Sequence, residues 1–108
     1  MAKNIGKNTN TTDLSTMPSP ISIGSSVSVM LLPAQAPTDQ AWIEVNVTPT
    51  GTKALWIKLQ AASVDNDKKG IRVAAGETKT VVKDGSYTGE ICAIYDSGPA
   101  KDVVLEYR

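Results

Sequence analysis

Histidine and phenylalanine are absent from this chain of 108 residues, and cysteine occurs once. Without histidine there is no Ser-His-Asp or Cys-His machinery and no imidazole metal ligand. One cysteine forms neither an internal disulfide nor a thiolate metal site. No charge sign dominates: 11 Lys and Arg balance 11 Asp and Glu, which leaves no bulk field for nucleic acid or an anionic membrane. Long apolar runs are missing too. The longest, Val29-Met30-Leu31-Leu32, is far short of the ~20 residues that span a bilayer. The basic start Met1-Ala2-Lys3 runs into polar Asn, Thr and Asp instead of the apolar stretch of an export signal. These absences predict a soluble, single-domain protein made in a reducing cytoplasm, with no nucleic-acid and no membrane partner. A neutral chain also lacks the self-repulsion that keeps small domains apart, which favours assembly.

What is present divides the chain in two. Residues 1–20 are rich in Asn, Thr, Ser, Lys and Pro, with Ile5, Leu14 and Met17 as their large apolar side chains. Such a segment cannot offset its own ordering entropy. It reads as an extended polar arm that orders against a partner through those three residues. Met17-Pro18-Ser19-Pro20 is a stiff hinge into the body.

Residues 21–108 read as one antiparallel β-sandwich, jelly-roll or Ig-like, so the fold class is all-β. Stretches rich in Val, Ile, Leu, Thr and Trp alternate with Gly, Pro, Asp and Asn at sandwich spacing. Strands are expected near 21–32, 41–48, 53–60, 69–74, 77–83, 90–96 and 101–107. Thr48-Pro49-Thr50-Gly51-Thr52 reads as a hairpin turn with a positive φ at Gly51, and Lys83-Asp84-Gly85-Ser86 carries the Asp-Gly hairpin signal. Ile91-Cys92-Ala93-Ile94-Tyr95 is apolar on both faces and reads as a central strand covered on both sides.

Period-two parity places Ile43, Val45 and Val47 on one face and Trp42, Glu44 and Asn46 on the other. Likewise Leu55, Ile57 and Leu59 oppose Trp56, Lys58 and Gln60. If the aliphatic sets form the core, Trp42, Glu44, Trp56 and Lys58 share one outward face. Two outward indoles anchor a protein interface, stack on sugar rings, or are covered by a loop or the N-terminal arm.

No constellation for catalysis emerges, and neither a cofactor nor a metal site is expected. Asp65, Asp67 and Gly70 match the start of a calcium loop, but Lys69 and Gly76 occupy positions where an oxygen ligand and a bidentate Glu are needed; the segment reads as a solvated turn. The acidic residues fall in turns or on outward positions without a recognisable catalytic pair. Cys92 lies among Ile91, Ala93 and Ile94 without a basic neighbour, the setting of a buried structural thiol.

The strand wording carries a resemblance. Ile43-Glu44-Val45-Asn46, Leu55-Trp56-Ile57-Lys58-Leu59, Gly70-Ile71-Arg72-Val73-Ala74-Ala75-Gly76-Glu77, Tyr87-Thr88-Gly89-Glu90-Ile91-Cys92-Ala93-Ile94 and Val103-Val104-Leu105-Glu106 follow in order. Residues 27–107 thereby resemble small β-sandwich proteins of tailed-bacteriophage virions, above all the capsid decoration or cement proteins. The resemblance implies a non-enzymatic structural protein of the virion, made in the host bacterial cytoplasm and bound to the capsid surface. Its implied partners are the major capsid protein and other copies of itself in a symmetric homo-oligomer. Bridging neighbouring capsid subunits stabilises a shell against the DNA inside. The alternative is a carbohydrate- or receptor-binding module of a phage tail or fibre, using Trp42 and Trp56.

Overall fold

A computed structural model of the chain describes residues 15–16, 21–35 and 42–108. Nine strands appear among them: β1 (Ser15–Thr16), β2 (Ile21–Ile23), β3 (Val29–Leu32), β4 (Glu44–Pro49), β5 (Leu55–Lys58), β6 (Ile71–Val73), β7 (Lys79–Lys83), β8 (Ile91–Tyr95) and β9 (Lys101–Tyr107). The described residues contain no helix. They form two antiparallel sheets packed face to face. One runs β2-β9-β4-β7, with β1 sharing the outer flank of β9, and the other runs β3-β8-β5-β6.

That order is a jelly roll. From β2 onward the chain alternates between the sheets, except that β5 and β6 pair directly. Eight strands so arranged are two Greek keys laid across one another. An Ig sandwich instead places its first two strands side by side in one sheet, whereas β2 and β3 lie in different sheets here.

Alternation of β-branched and polar residues makes these strands amphipathic, and burial follows it. Val45 and Val47 of β4, and Leu55 and Ile57 of β5, are fully buried. Ile23, Val82, Val103 and Leu105 join Val45 and Val47 on one inner face; Leu31, Val73, Ile91, Ala93 and Tyr95 join Leu55 and Ile57 on the other. Each of these Val, Leu and Ile side chains contributes about 1.5–3 kcal/mol relative to an exposed position. As its composition predicts, β8 is central, between β3 and β5, and every one of its residues is buried. Pro49 closes β4, at a strand end where its missing N–H costs least.

Two expected hairpins are instead crossings between sheets. Thr48–Thr52 carries the chain from β4 in one sheet to β5 in the other. Asp102 O holds this arch, accepting from Thr50 N–H at 3.2 Å, Thr50 Oγ1 at 2.7 Å and the buried Tyr95 hydroxyl at 3.0 Å. Gly51 is not in the left-handed region. It is required for space: a Cβ there would lie 2.9 Å from Cγ and 3.1 Å from Cβ of Lys101. The Asp84-Gly85 turn forms, with φ of 56° and 69° and a Ser86 N–H to Lys83 O bond of 3.1 Å, but it leads from β7 to β8 across the sandwich. The single strand expected over 21–32 is split at Gly24–Ser28 into β2 and β3, one in each sheet.

Candidate functional site

The outward face expected to carry Trp42, Glu44, Trp56 and Lys58 together does not exist. Because the chain crosses between sheets at Thr48–Thr52, Glu44 and Trp56 lie on opposite outer faces of the sandwich. Trp42 faces neither. It is 6% exposed and belongs to the core, packed edge-on against Tyr107 with ring centroids 5.1 Å apart at 77°. Parity fails at Trp42 because β4 begins only at Glu44. The N–H groups of Ile43 and Glu44 both reach Arg108 O, at 2.7 and 3.1 Å, so the backbone ahead of the strand is not in strand register. Ile43, expected in the core, is only half-buried. Ile5, Leu14 and Met17 lie outside the described residues.

The outer face of the β4 sheet is a polar, hydrogen-bonded surface. Glu44 accepts from Arg108 Nη2 at 2.7 Å through one carboxylate oxygen and from Asn46 Nδ2 at 2.9 Å through the other. Asn46 Oδ1 in turn accepts from Thr80 Oγ1 at 2.6 Å. Beside them the hydroxyls of Thr48 and Thr78 are 2.6 Å apart.

On the outer face of the β5 sheet, cross-strand register sets out two rows. Arg72, Trp56 and Ile94 form one, and Lys58, Cys92 and Met30 the other. Trp56 is half-buried, and its indole N–H donates to Asp96 Oδ1 at 3.1 Å. Cys92 is fully buried; desolvation pushes its thiol pKa up, against a smaller opposing effect of Lys58. Lys58 is only 7% exposed, although strand parity makes it an outward residue.

The connection from Leu59 to Gly70 explains that burial. It folds back over the end of the sheet and is fastened at three places. The Asp65 carboxylate accepts from Lys58 Nζ, from Gln60 Nε2 at 2.9 Å and from Asp67 N–H at 3.0 Å. Ser28 donates its hydroxyl to Asp65 O and its N–H to Asn66 Oδ1, both at 2.9 Å. Ala62 N–H donates to Glu90 Oε2 at 2.6 Å. The hydrogen bond from Lys58, followed by those from Gln60 and Asp67, holds the Asp65 pKa down to about 2. A cleft of about 390 Å³ opens beside this cluster, lined by Lys58, Leu59, Gln60, Asp65, Asp67 and Lys69 with Ile57, Gly70 and Ile71.

The Asp65 cluster was not legible as a site in the sequence. An Asp-Asn-Asp turn announces the local bond to Asp67 N–H, and residues 66–70 are exposed as a turn should be. The pairing with Lys58 depends on how the connection folds back, which no local spacing encodes. No group of three or more Cys, Asp or Glu residues able to hold a metal ion occurs among the described residues. No family model, no curated protein and no solved structure matches the chain.

Proposed function

We propose that this protein is a decoration protein of a tailed-phage virion, which binds the outer shell and bridges neighbouring capsid subunits. The observation that carries the reading is the strand order, β2-β9-β4-β7 against β3-β8-β5-β6, an architecture used by viral capsid domains. Fold alone does not select a function; the strand wording of residues 27–107 supplies the tailed-phage context. The partners are the major capsid protein and further copies of the chain.

The docking surface that fits this role best is the outer face of the β4 sheet. Its Glu44, Asn46, Thr48, Thr78 and Thr80 side chains are already fixed by hydrogen bonds. A surface ordered in advance has little side-chain freedom left to lose on binding. It replaces the two-tryptophan face as the proposed interface. The sugar-binding alternative loses its platform, since Trp42 is buried and Trp56 belongs to the other sheet.

Adding the purified protein to phage shells that lack it tests the reading. Saturable binding at the hundreds of copies per particle that repeated symmetric sites provide, with DNA retained to higher temperature, supports decoration. A stoichiometry of about a dozen, as a single ring of subunits would give, or no binding, overturns it. The double variant Thr48→Lys and Thr80→Lys is expected to stay folded and to lose occupancy.

A further inference from the structure

We propose that the cleft between β5, β6 and the Leu59–Gly70 connection binds a neutral polyhydroxylated ligand, a sugar. This goes beyond shell attachment and does not depend on it.

Volume comes first. At about 390 Å³ the cleft lies within the ~300–1,000 Å³ range of small-molecule sites. Its apolar contributors, Ile57, Leu59 and Ile71, give a surface for the C–H side of a ring. Its wall is fixed at Gly70, whose φ is +101° and where a Cβ would collide with Ile57 O.

Charge selects the ligand next. Lys58 and Lys69 are balanced by Asp65 and Asp67. A free anion meets two carboxylates and a free cation meets two ammonium groups, so a neutral ligand is favoured on both counts.

Hydrogen-bond chemistry narrows the class further. Lys58 is more than nine-tenths buried and lines the cleft, and its ammonium is bonded to Asp65. An ammonium has three N–H donors, and the other two have no protein acceptor among the described residues. Donor and acceptor therefore stand side by side: Lys58 next to Asp65 inside the cleft, and Lys69 Nζ 3.8 Å from Asp67 Oδ2 at the rim. A hydroxyl is the neutral group that accepts from the ammonium and donates to the adjacent carboxylate through one oxygen. An amide separates those functions onto two atoms. Two such pairs line one cleft, and a ligand carrying several hydroxyls, as a sugar ring does, can engage both.

The test is a titration of the full chain, followed by its amide resonances, with glucose, galactose, N-acetylglucosamine and maltose separately. Sodium sulfate and calcium chloride are parallel arms. At least one sugar is expected to shift the Lys58–Ile71 resonances saturably. Lys58→Met keeps the buried stem and removes the donors; it is expected to weaken that binding about tenfold or more, the worth of one hydrogen bond to a charged group. Asp67→Ala, on the exposed rim, leaves the fold undisturbed and is expected to weaken it about threefold, as loss of a single solvated contact does. The proposal is overturned if no sugar shifts these resonances at up to about 50 mM, far above a millimolar dissociation constant. It is equally overturned if the shifts fall elsewhere, or if sulfate or calcium produces them more strongly than any sugar.

Discussion

Trp42 shows how one residue can change sides. Alternation assigns it to the surface, yet it precedes the first residue of β4, and its ring packs on Tyr107 in the core. Removing a buried indole leaves a large void, so Trp42→Ala is expected to cost about 3–5 kcal/mol of stability, read as a lowered urea midpoint. Shell binding per folded molecule should be unchanged. A stable Trp42→Ala protein that fails to bind would return this residue to the interface. Asp65 makes a second prediction, and its sign follows from the direction of its shift. Its carboxyl titrates at 3.8 without partners and at about 2 in the fold. The fold therefore favours the ionised form. That contribution is complete above 3.8 and disappears as the pH falls from there through about 2. Asp65→Asn should be less stable than the native chain at neutral pH, because it also leaves Lys58 buried without its counter-charge. The gap should narrow across that acid window, and a gap constant with pH would show that the Lys58 pairing does not stabilise the fold.

At the scale of the element, the strands themselves are readable and their partners are not. Val45 and Val47, and Leu55 and Ile57, declare their inner faces by period-two alternation, and the burial agrees. The all-apolar run 91–95 declares a central strand. Turn chemistry at Asp84-Gly85 is equally legible, because only a pair tolerant of positive φ fits. What fails is the step from a turn to a hairpin. Sequence-adjacent strands usually pair, but in a jelly roll most of them part into opposite sheets, and nothing local to Thr48–Thr52 marks that. The outward face expected to hold Glu44 and Trp56 together is lost for the same reason, since it assumed that β4 and β5 were neighbours. Two glycines, Gly70 at the cleft and Gly76 away from it, test the backbone reading. Gly70 and Gly76 both have positive φ, +101° and +76°. A Cβ at Gly76 meets nothing within 4 Å, whereas one at Gly70 meets the backbone carbonyl of Ile57. Gly76→Ala should cost about 1 kcal/mol from conformation alone. Gly70→Ala adds a backbone collision and should cost well over about 2 kcal/mol. Equal denaturation midpoints for the two variants would contradict the tight packing of the Leu59–Gly70 connection on β5.

For the whole molecule, the decisive element is the last strand. β9 pairs with β4 along Val103–Tyr107, with β2 along Lys101–Val103 and with β1 at Glu106 and Tyr107. It also brings Val103 and Leu105 into the centre of the core, both fully buried. Without it, β2 loses its only sheet partner among the described strands, and β4 keeps only β7. The Asp102 carbonyl that holds the Thr48–Thr52 arch is lost at the same time. The β2-β9-β4-β7 sheet therefore closes only when β9 arrives; before that, only the β4-β7 pair of this sheet faces β3-β8-β5-β6. A chain truncated after Ala100 is expected to show no cooperative urea transition and no sharp near-ultraviolet spectrum. A chain beginning at Ser15 keeps every described strand and should unfold in a single transition. The pairing of Ile21 with Val103 joins residues from opposite ends of the body, and contacts so remote in sequence must wait for a large loop to close. Refolding should therefore fall in the slow range of small domains, about milliseconds to seconds. If the chain truncated after Ala100 retained a cooperative transition, β9 would be a late addition to an already stable sheet and not the strand that closes the fold.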